Sequence, residues 1–294
     1  MRAGTILAAA ALLLTGSAPA HVGPRFGHWI DGTTATEPEA QVQRIDADTF
    51  VIRQSVRTNF EAPFLYLLFG ERRALLIDSG AGGLAIRPTV DRLFEQWRAR
   101  HGGRAMHLVV AHSHGHGDHH AGDAEFRDRP DTEVVGLKPA AVAAFFDIRD
   151  WPVGIGRYDL GKRMLRIVPT PGHEPAHIMI FDARTRLLFS GDMLYPGRLY
   201  VPTDQIATFR ASADRIATFA IRHPIRALLG AHIEMTATPG QDYPREAASH
   251  AAEHALALPP SAIEALRQAV AAAGSPPTVD RRADFILYPV PPLP

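Results

Sequence analysis

The stretch VVAHSHGHGDHHAGD, residues 109–123, places five of the chain's 15 histidines within nine positions, His112 to His120. It starts as an apolar run and ends as a loop punctuated by glycine, so its polar side chains hang from the end of a strand. In layered α/β proteins such strand ends are where ligands collect. One register within the stretch has two histidines two apart, an aspartate two further on and a histidine directly after: His114, His116, Asp118 and His119. Alternation aims the His114 and His116 rings one way, and Gly115 and Gly117 allow the tight backbone that turns Asp118 and His119 toward a second point. Imidazole nitrogen and carboxylate oxygen at such spacing are the donors a zinc ion takes, at roughly 2 Å. A histidine tag has no such ordered preface and sits at a terminus.

The pattern around this loop is that of a layered α/β domain. Apolar runs at 49–53, 64–69, 74–78, 107–111 and 133–137 read as strands, several of them ended by Gly or Pro. Val90, Leu93, Phe94 and Trp97 recur at helical spacing until Gly102 and Gly103, which makes a strand, helix, strand unit. The second half follows the same logic. A strand is expected at 164–168, a hairpin turning at 183–185, a helix with Ile206, Phe209, Ala213, Ile216 and Phe219 on one face, and a strand at 225–229. SAIEALRQAVAAAG reads as a last helix, with Ser261 and Glu264 as a capping box and Gly274 as its stop. Strands buried under helices in both halves imply stacked layers.

Composition narrows the possible functions. Lys plus Arg and Asp plus Glu number 31 each, so no basic face is offered to nucleic acid. There is no cysteine, hence no disulfide, no thiolate ligand and no lipid-modified cysteine. At the N-terminus Arg2, an apolar run over 6–14 and Ala18-Pro19-Ala20 follow the order of a secretory signal peptide, with cleavage expected after Ala20. That run is too short for a permanent membrane anchor, so a periplasmic or secreted protein is expected. The expected organisation is a signal peptide over 1–20, a loose lead-in over 21–40, one layered domain over 41–275 and a Pro-rich extended tail over 276–294.

HGHGDH resembles the HxHxDH signature of the metallo-β-lactamase superfamily, and further motifs of that family occur in order. LLIDSG contains Asp78, PTPGHEPAH contains His173, LLFSGDML contains Asp192 and LLGAHIEM contains His232. The resemblance covers roughly residues 49–258. It implies a four-layer αβ/βα sandwich with the metal site at the edge between two similar halves. It further implies one zinc ion on His114, His116 and His173, a second on Asp118, His119 and His232, Asp192 bridging them, and Asp78 supporting the loop. His112 and His120 match no ligand position, and His177, His223, His250 and His254 receive no role. Two such ions acidify water enough to make hydroxide available near neutral pH, which implies hydrolysis of a small-molecule substrate with Asp118 moving a proton. Iron or manganese are the alternative metals.

Within the superfamily, a bridging carboxylate at Asp192 resembles the glyoxalase II, lactonase and phosphodiesterase branches more than the true zinc β-lactamases. Tyr195, three residues on, has a spacing similar to that of the tyrosine that contacts the substrate carbonyl in the lactonases, so it is expected to donate to a developing oxyanion. The expected activity is cleavage of an ester, thioester or lactone. A periplasmic β-lactamase and a non-catalytic metal- or ligand-binding member are the alternatives. A glutathione thioester calls for a basic cluster near the C-terminal helices; Arg245 and Arg267 are present, without any sign that they meet.

Overall fold

The computed structural model describes residues 23–292, so the segment read as a signal peptide lies outside the described residues. The first half of the chain forms strands β1 (Ala40–Asp46), β2 (Thr49–Gln54), β3 (Phe64–Phe69), β4 (Arg73–Ile77), β5 (His107–Ala111) and β6 (Thr132–Val134). Its helices are α1 (Arg87–Arg100), α2 (Gly117–His120), α3 (Asp123–Arg127) and α4 (Pro139–Phe145). The second half forms β7 (Gly156–Asp159), β8 (Met164–Pro169), β9 (Ile178–Asp182), β10 (Leu187–Gly191), β11 (Arg198–Pro202), α5 (Ile206–Arg222), β12 (Ala227–Gly230) and β13 (Ala257–Leu258). α6 (Ser261–Ala272), β14 (Asp280–Arg281) and β15 (Ile286–Val290) complete the chain.

Two six-stranded sheets result, one in the order β1-β2-β3-β4-β5-β6 and the other in the order β13-β12-β10-β9-β8-β7. The inner strands β3, β4, β5, β9, β10 and β12 read as largely apolar runs because they are buried on both faces. In β3, Phe64, Tyr66 and Leu68 enter the core between the sheets, where they meet Ile178, Ile180 and Phe189 of the second sheet. The alternate residues Leu65, Leu67 and Phe69 pack outward with Val90, Leu93, Phe94 and Trp97 of α1. The second sheet turns Met179, Phe181, Leu188 and Leu228 outward to Phe209, Ile216, Leu266 and Val270 of α5 and α6. Helix, sheet, sheet, helix is the four-layer sandwich the motifs implied. Arg163 and Asp182 are both buried and pair at 2.7 Å; Arg163 also donates to the Asp48 and Phe69 carbonyls, which ties the second sheet to the first.

Three expectations need correction. The segment read as an extended tail is built in: β15 lies between β11, to which it is parallel, and β14. Phe285, Ile286 and Leu287 are fully buried and anchor it. Pro289 is tolerated because it lies beyond the last residue paired to β14, where no partner needs its missing N–H. The lead-in is likewise pinned, with Trp29 and Ile30 buried and the Trp29 ring edge-on to Phe64 at 5.0 Å. The capping box does not form: Pro260 is the N-cap without a side-chain bond, and Glu264 instead pairs with Arg267. Pro259 and Pro260 begin the helix one residue early, leaving Ser261 already inside it.

Candidate metal centre

The chemistry-bearing residues sit where strands end. His112 to His120 follow β5, Asp192 follows β10, His232 stands two residues after β12, His173 lies in the loop from β8 to β9, and Asp78 follows β4. Two groups of potential ligands form there: His114, His116 and His173, and Asp118, His119, Asp192 and His232. These are the seven residues singled out from the sequence; Asp192, expected between the two groups, falls with the second.

In the first group His116 Nδ1 lies 3.0 Å from both His114 Nε2 and His173 Nε2, and the last two are 3.2 Å apart. These spacings are close to the edge of a tetrahedron with metal–nitrogen bonds of about 2.0–2.1 Å. In the second group Asp118 Oδ2 is 3.1 Å from His119 Nε2 and 3.3 Å from His232 Nε2. Asp192 stands between the groups: Oδ1 is 3.5 Å from His119 and 3.4 Å from His232, and Oδ2 is 3.7 Å from His173. Asp192 Oδ1 is buried without a hydrogen-bond partner among the described residues, which a bridging cation would remedy.

The groups behind the ligands fix which nitrogen faces inward. His173 Nδ1 donates to the Tyr200 carbonyl at 2.6 Å, and His232 Nδ1 to the Glu61 carbonyl at 2.8 Å. His119 Nδ1 donates to Asp78 Oδ2 at 2.9 Å. A nitrogen that donates to a carbonyl or carboxylate carries the proton, so each Nε2 lone pair is left for a metal. Asp78 also accepts from the Ser113 N–H at 2.7 Å and from the Ser113 hydroxyl. It does so with φ 65°, a conformation that aspartate tolerates better than most residues.

Electrostatics separate the two groups. Burial pushes the His114 imidazole well below its ordinary value and lowers His116 and His173, so these three are neutral donors. Burial acts the same way on His119 and His232, but Asp118 and Asp192 outweigh it and hold both well above the ordinary value. Burial pushes the Asp118 carboxyl up, yet His119 and His232 keep it well below the usual carboxylate range. The two carboxylates of the second group thus draw protons onto its imidazoles, and a divalent cation would displace those protons and take over the charge they balance. Asp118 is the most solvent-accessible member of that group, with 21% of its side chain exposed.

His177 was given no role, and it proves to position Asp192. It is buried, its Nδ1 donates to Thr170 Oγ1 at 2.8 Å, and its Nε2 accepts the Asp192 backbone N–H at 3.1 Å. Gly191 makes this contact possible: its φ is +51°, and a Cβ there would lie 2.7 Å from His177 Nε2 and 2.8 Å from Ser113 Cβ. The sequence signal was the four-residue spacing of His173 and His177 before a strand, which by itself also fits a core histidine. His112 stays outside both groups, buried against Asp123 at 2.8 Å.

Tyr195 departs from its expected role as oxyanion donor. The side chain is fully buried; its hydroxyl donates to the Arg198 carbonyl at 2.6 Å and lies 3.1 Å from Glu234. That commits its single proton. Its ring sits 5.5 Å from the His232 ring, so Tyr195 supports a ligand from behind. Arg245 and Arg267 do not form a basic cluster, since Arg245 lies over Phe60 while Arg267 pairs with Glu264 on the face of α6.

Residues 59–263 match the family model described as the metallo-beta-lactamase superfamily. The hydroxyacylglutathione hydrolase of Rhizobium meliloti (strain 1021) is 28% identical over 176 residues, spanning 57% of this chain and 64% of the relative's length. The acyl-coenzyme A thioesterase MBLAC2 of Gallus gallus is 25% identical over 207 residues, spanning 58% of this chain and 72% of that protein. Among solved structures, the DIM-1 metallo-beta-lactamase aligns with a TM-score of 0.51 at 13% identity, covering 81% of this chain and 99% of that one. TMB-1 aligns with a TM-score of 0.50 at 12% identity, covering 80% and 98%. At such identities the solved structures share the fold alone. With the family match running from just before β3 into α6 and so covering all seven candidate ligands, the chain belongs to the metallo-β-lactamase superfamily.

Proposed function

We propose that the protein is an exported dinuclear zinc hydrolase that attacks the carbonyl carbon of a thioester and cleaves its acyl–sulfur bond, with simple esters and lactones as weaker candidates. The observation that carries this reading is the pair of ligand groups meeting at Asp192, whose oxygens face one group each. His114, His116 and His173 would hold one ion; Asp118, His119 and His232 the other. When bound, two zinc ions would supply Lewis acidity toward the carbonyl oxygen and a water acidified to a pKa of about 7. The chain's own part is positional. Asp78, the Tyr200 carbonyl and the Glu61 carbonyl hold the imidazoles, and His177 holds the backbone of Asp192. Asp118, ionised and at the solvent side, would orient the attacking water and pass a proton from it to the leaving group.

Two relatives are named for hydrolysis of hydroxyacylglutathione and of acyl-coenzyme A, which favours a thioester. The lactone reading rested on a free Tyr195 hydroxyl, and that hydroxyl is engaged. Export rests on the N-terminal pattern, and an N-terminus at His21 in periplasmic material is the expected outcome of sequencing. The test of substrate class is a panel of S-acylglutathione, acyl-coenzyme A, aryl ester, lactone and β-lactam compounds given to the zinc-loaded protein. Thioester turnover abolished by chelation is expected. Turnover of β-lactams with every thioester inert would replace the reading by the β-lactamase alternative, and inertness toward the whole panel by a non-catalytic one.

A further inference from the structure

A cavity of about 440 Å³ opens against the metal-centre residues, with His173 as part of its wall. That volume lies within the roughly 300–1,000 Å³ of small-molecule sites. Three segments build it: the loop after α4, which supplies Trp151; the loop from β8 to β9, which supplies Pro171 and Pro175; and the end of β11 with the turn that follows, which supply Pro202 and Asp204. The apolar walls are mostly proline rings, whose fixed φ costs little ordering when a ligand arrives. The charged side chains lining it are the carboxylates Glu174 and Asp204; among the described residues no Lys or Arg lines it. The loop carrying Trp151 also exposes Val153, at 69%, and Ile155, two of the four exposed large hydrophobic side chains among the described residues.

A substrate whose carbonyl reacts beside His173 must place either its acyl substituent or its leaving group here. An anionic leaving group would face Glu174 and Asp204 without a compensating cation, whereas a hydrocarbon chain would cover Trp151 and the prolines. We infer that this cavity is the acyl subsite and that it selects neutral, apolar acyl groups over acetyl or charged ones, with Trp151 as the main specificity-determining residue. The inference rests on the hydrolase reading above.

The test uses thioesters of one neutral leaving group, N-acetylcysteamine, with straight acyl chains of two to eight carbons. With the zinc-loaded protein, kcat/KM should climb about three- to fourfold for each methylene that reaches the cavity, the usual gain for burying one CH2. Trp151→Ala, which removes one wall, and Thr208→Trp, which fills the space from α5, should each cut the octanoyl-to-acetyl ratio at least tenfold, with zinc content equal to the parent's. A flat chain-length profile in the parent, or an unaltered ratio in both variants, overturns the inference while leaving the hydrolase reading in place. If none of these thioesters is cleaved, the thioester reading fails. The cavity is then judged by calorimetric titration with N-methyloctanamide: tighter binding to the parent than to either variant sustains an apolar site, and equal binding removes it.

Discussion

Replacing Asp78 by Asn isolates what the residues behind the ligands contribute. Asparagine keeps the shape and accepts the left-handed φ of 65° at that position, so backbone strain is not added. Asp78 accepts two hydrogen bonds from Ser113 and one from His119 Nδ1. If the amide oxygen keeps the Ser113 N–H, the amide nitrogen faces His119 Nδ1–H, donor against donor. Relief requires His119 to move its proton to Nε2, the atom that faces Asp118 and Asp192, and an Nε2 so protonated cannot bind a metal. Loss of such an outer partner typically weakens metal affinity 10- to 100-fold, or about 1.4–2.7 kcal/mol. Only the second group contains His119, so the loss should fall on one of the two ions. Competition with a chromophoric chelator resolves the two dissociation constants. Parent-like constants for both ions in Asp78→Asn, or equal weakening of both, would refute the tautomer argument.

Three further outcomes follow from the same geometry. Gly191→Ala should be destabilised by about 1–3 kcal/mol, because its Cβ would press on His177 and Ser113 at a positive φ; a parent-like melting temperature would contradict this. Tyr195→Phe should lose about 1 kcal/mol of stability in chemical denaturation and keep its catalytic constant within tenfold, since the hydroxyl serves the Arg198 carbonyl; a larger selective loss of rate at unchanged stability would restore the oxyanion role. Burial raises the Asp182 carboxyl, but Arg163 outweighs it and holds it below its ordinary value, so the stabilisation it gives is full above about pH 4 and fades as pH falls through the folded value. Asp182→Asn should therefore be about 3–5 kcal/mol less stable than the parent at pH 7, with the gap narrowing toward pH 3; a gap independent of pH would oppose the assignment.

The candidate ligands are legible because they are local. Four of them lie within six residues, His114 to His119, and the strands that carry the others are buried on both faces and so stand out as apolar runs. What escaped depends on distant partners. Tyr195 looks like a site residue by its spacing from Asp192, but its proton goes to the Arg198 carbonyl, and Arg198 is held by Glu234, 36 positions further on. His177 resembles any core histidine until Gly191 brings the Asp192 N–H to it. β1, AQVQRID, mixes polar and apolar residues because it is an edge strand paired only to β2. β15 was obscured by its prolines, although the buried Phe285, Ile286 and Leu287 outweigh them.

The central claim, a two-ion hydrolase, is tested most directly by stripping the protein with a chelator and titrating zinc back while following metal content and thioester turnover together. Activity should be absent in the stripped protein, rise with added zinc and reach its plateau at about two equivalents per chain. A plateau at one equivalent, turnover that survives stripping, or a protein that takes up a single iron and rejects zinc would contradict the account.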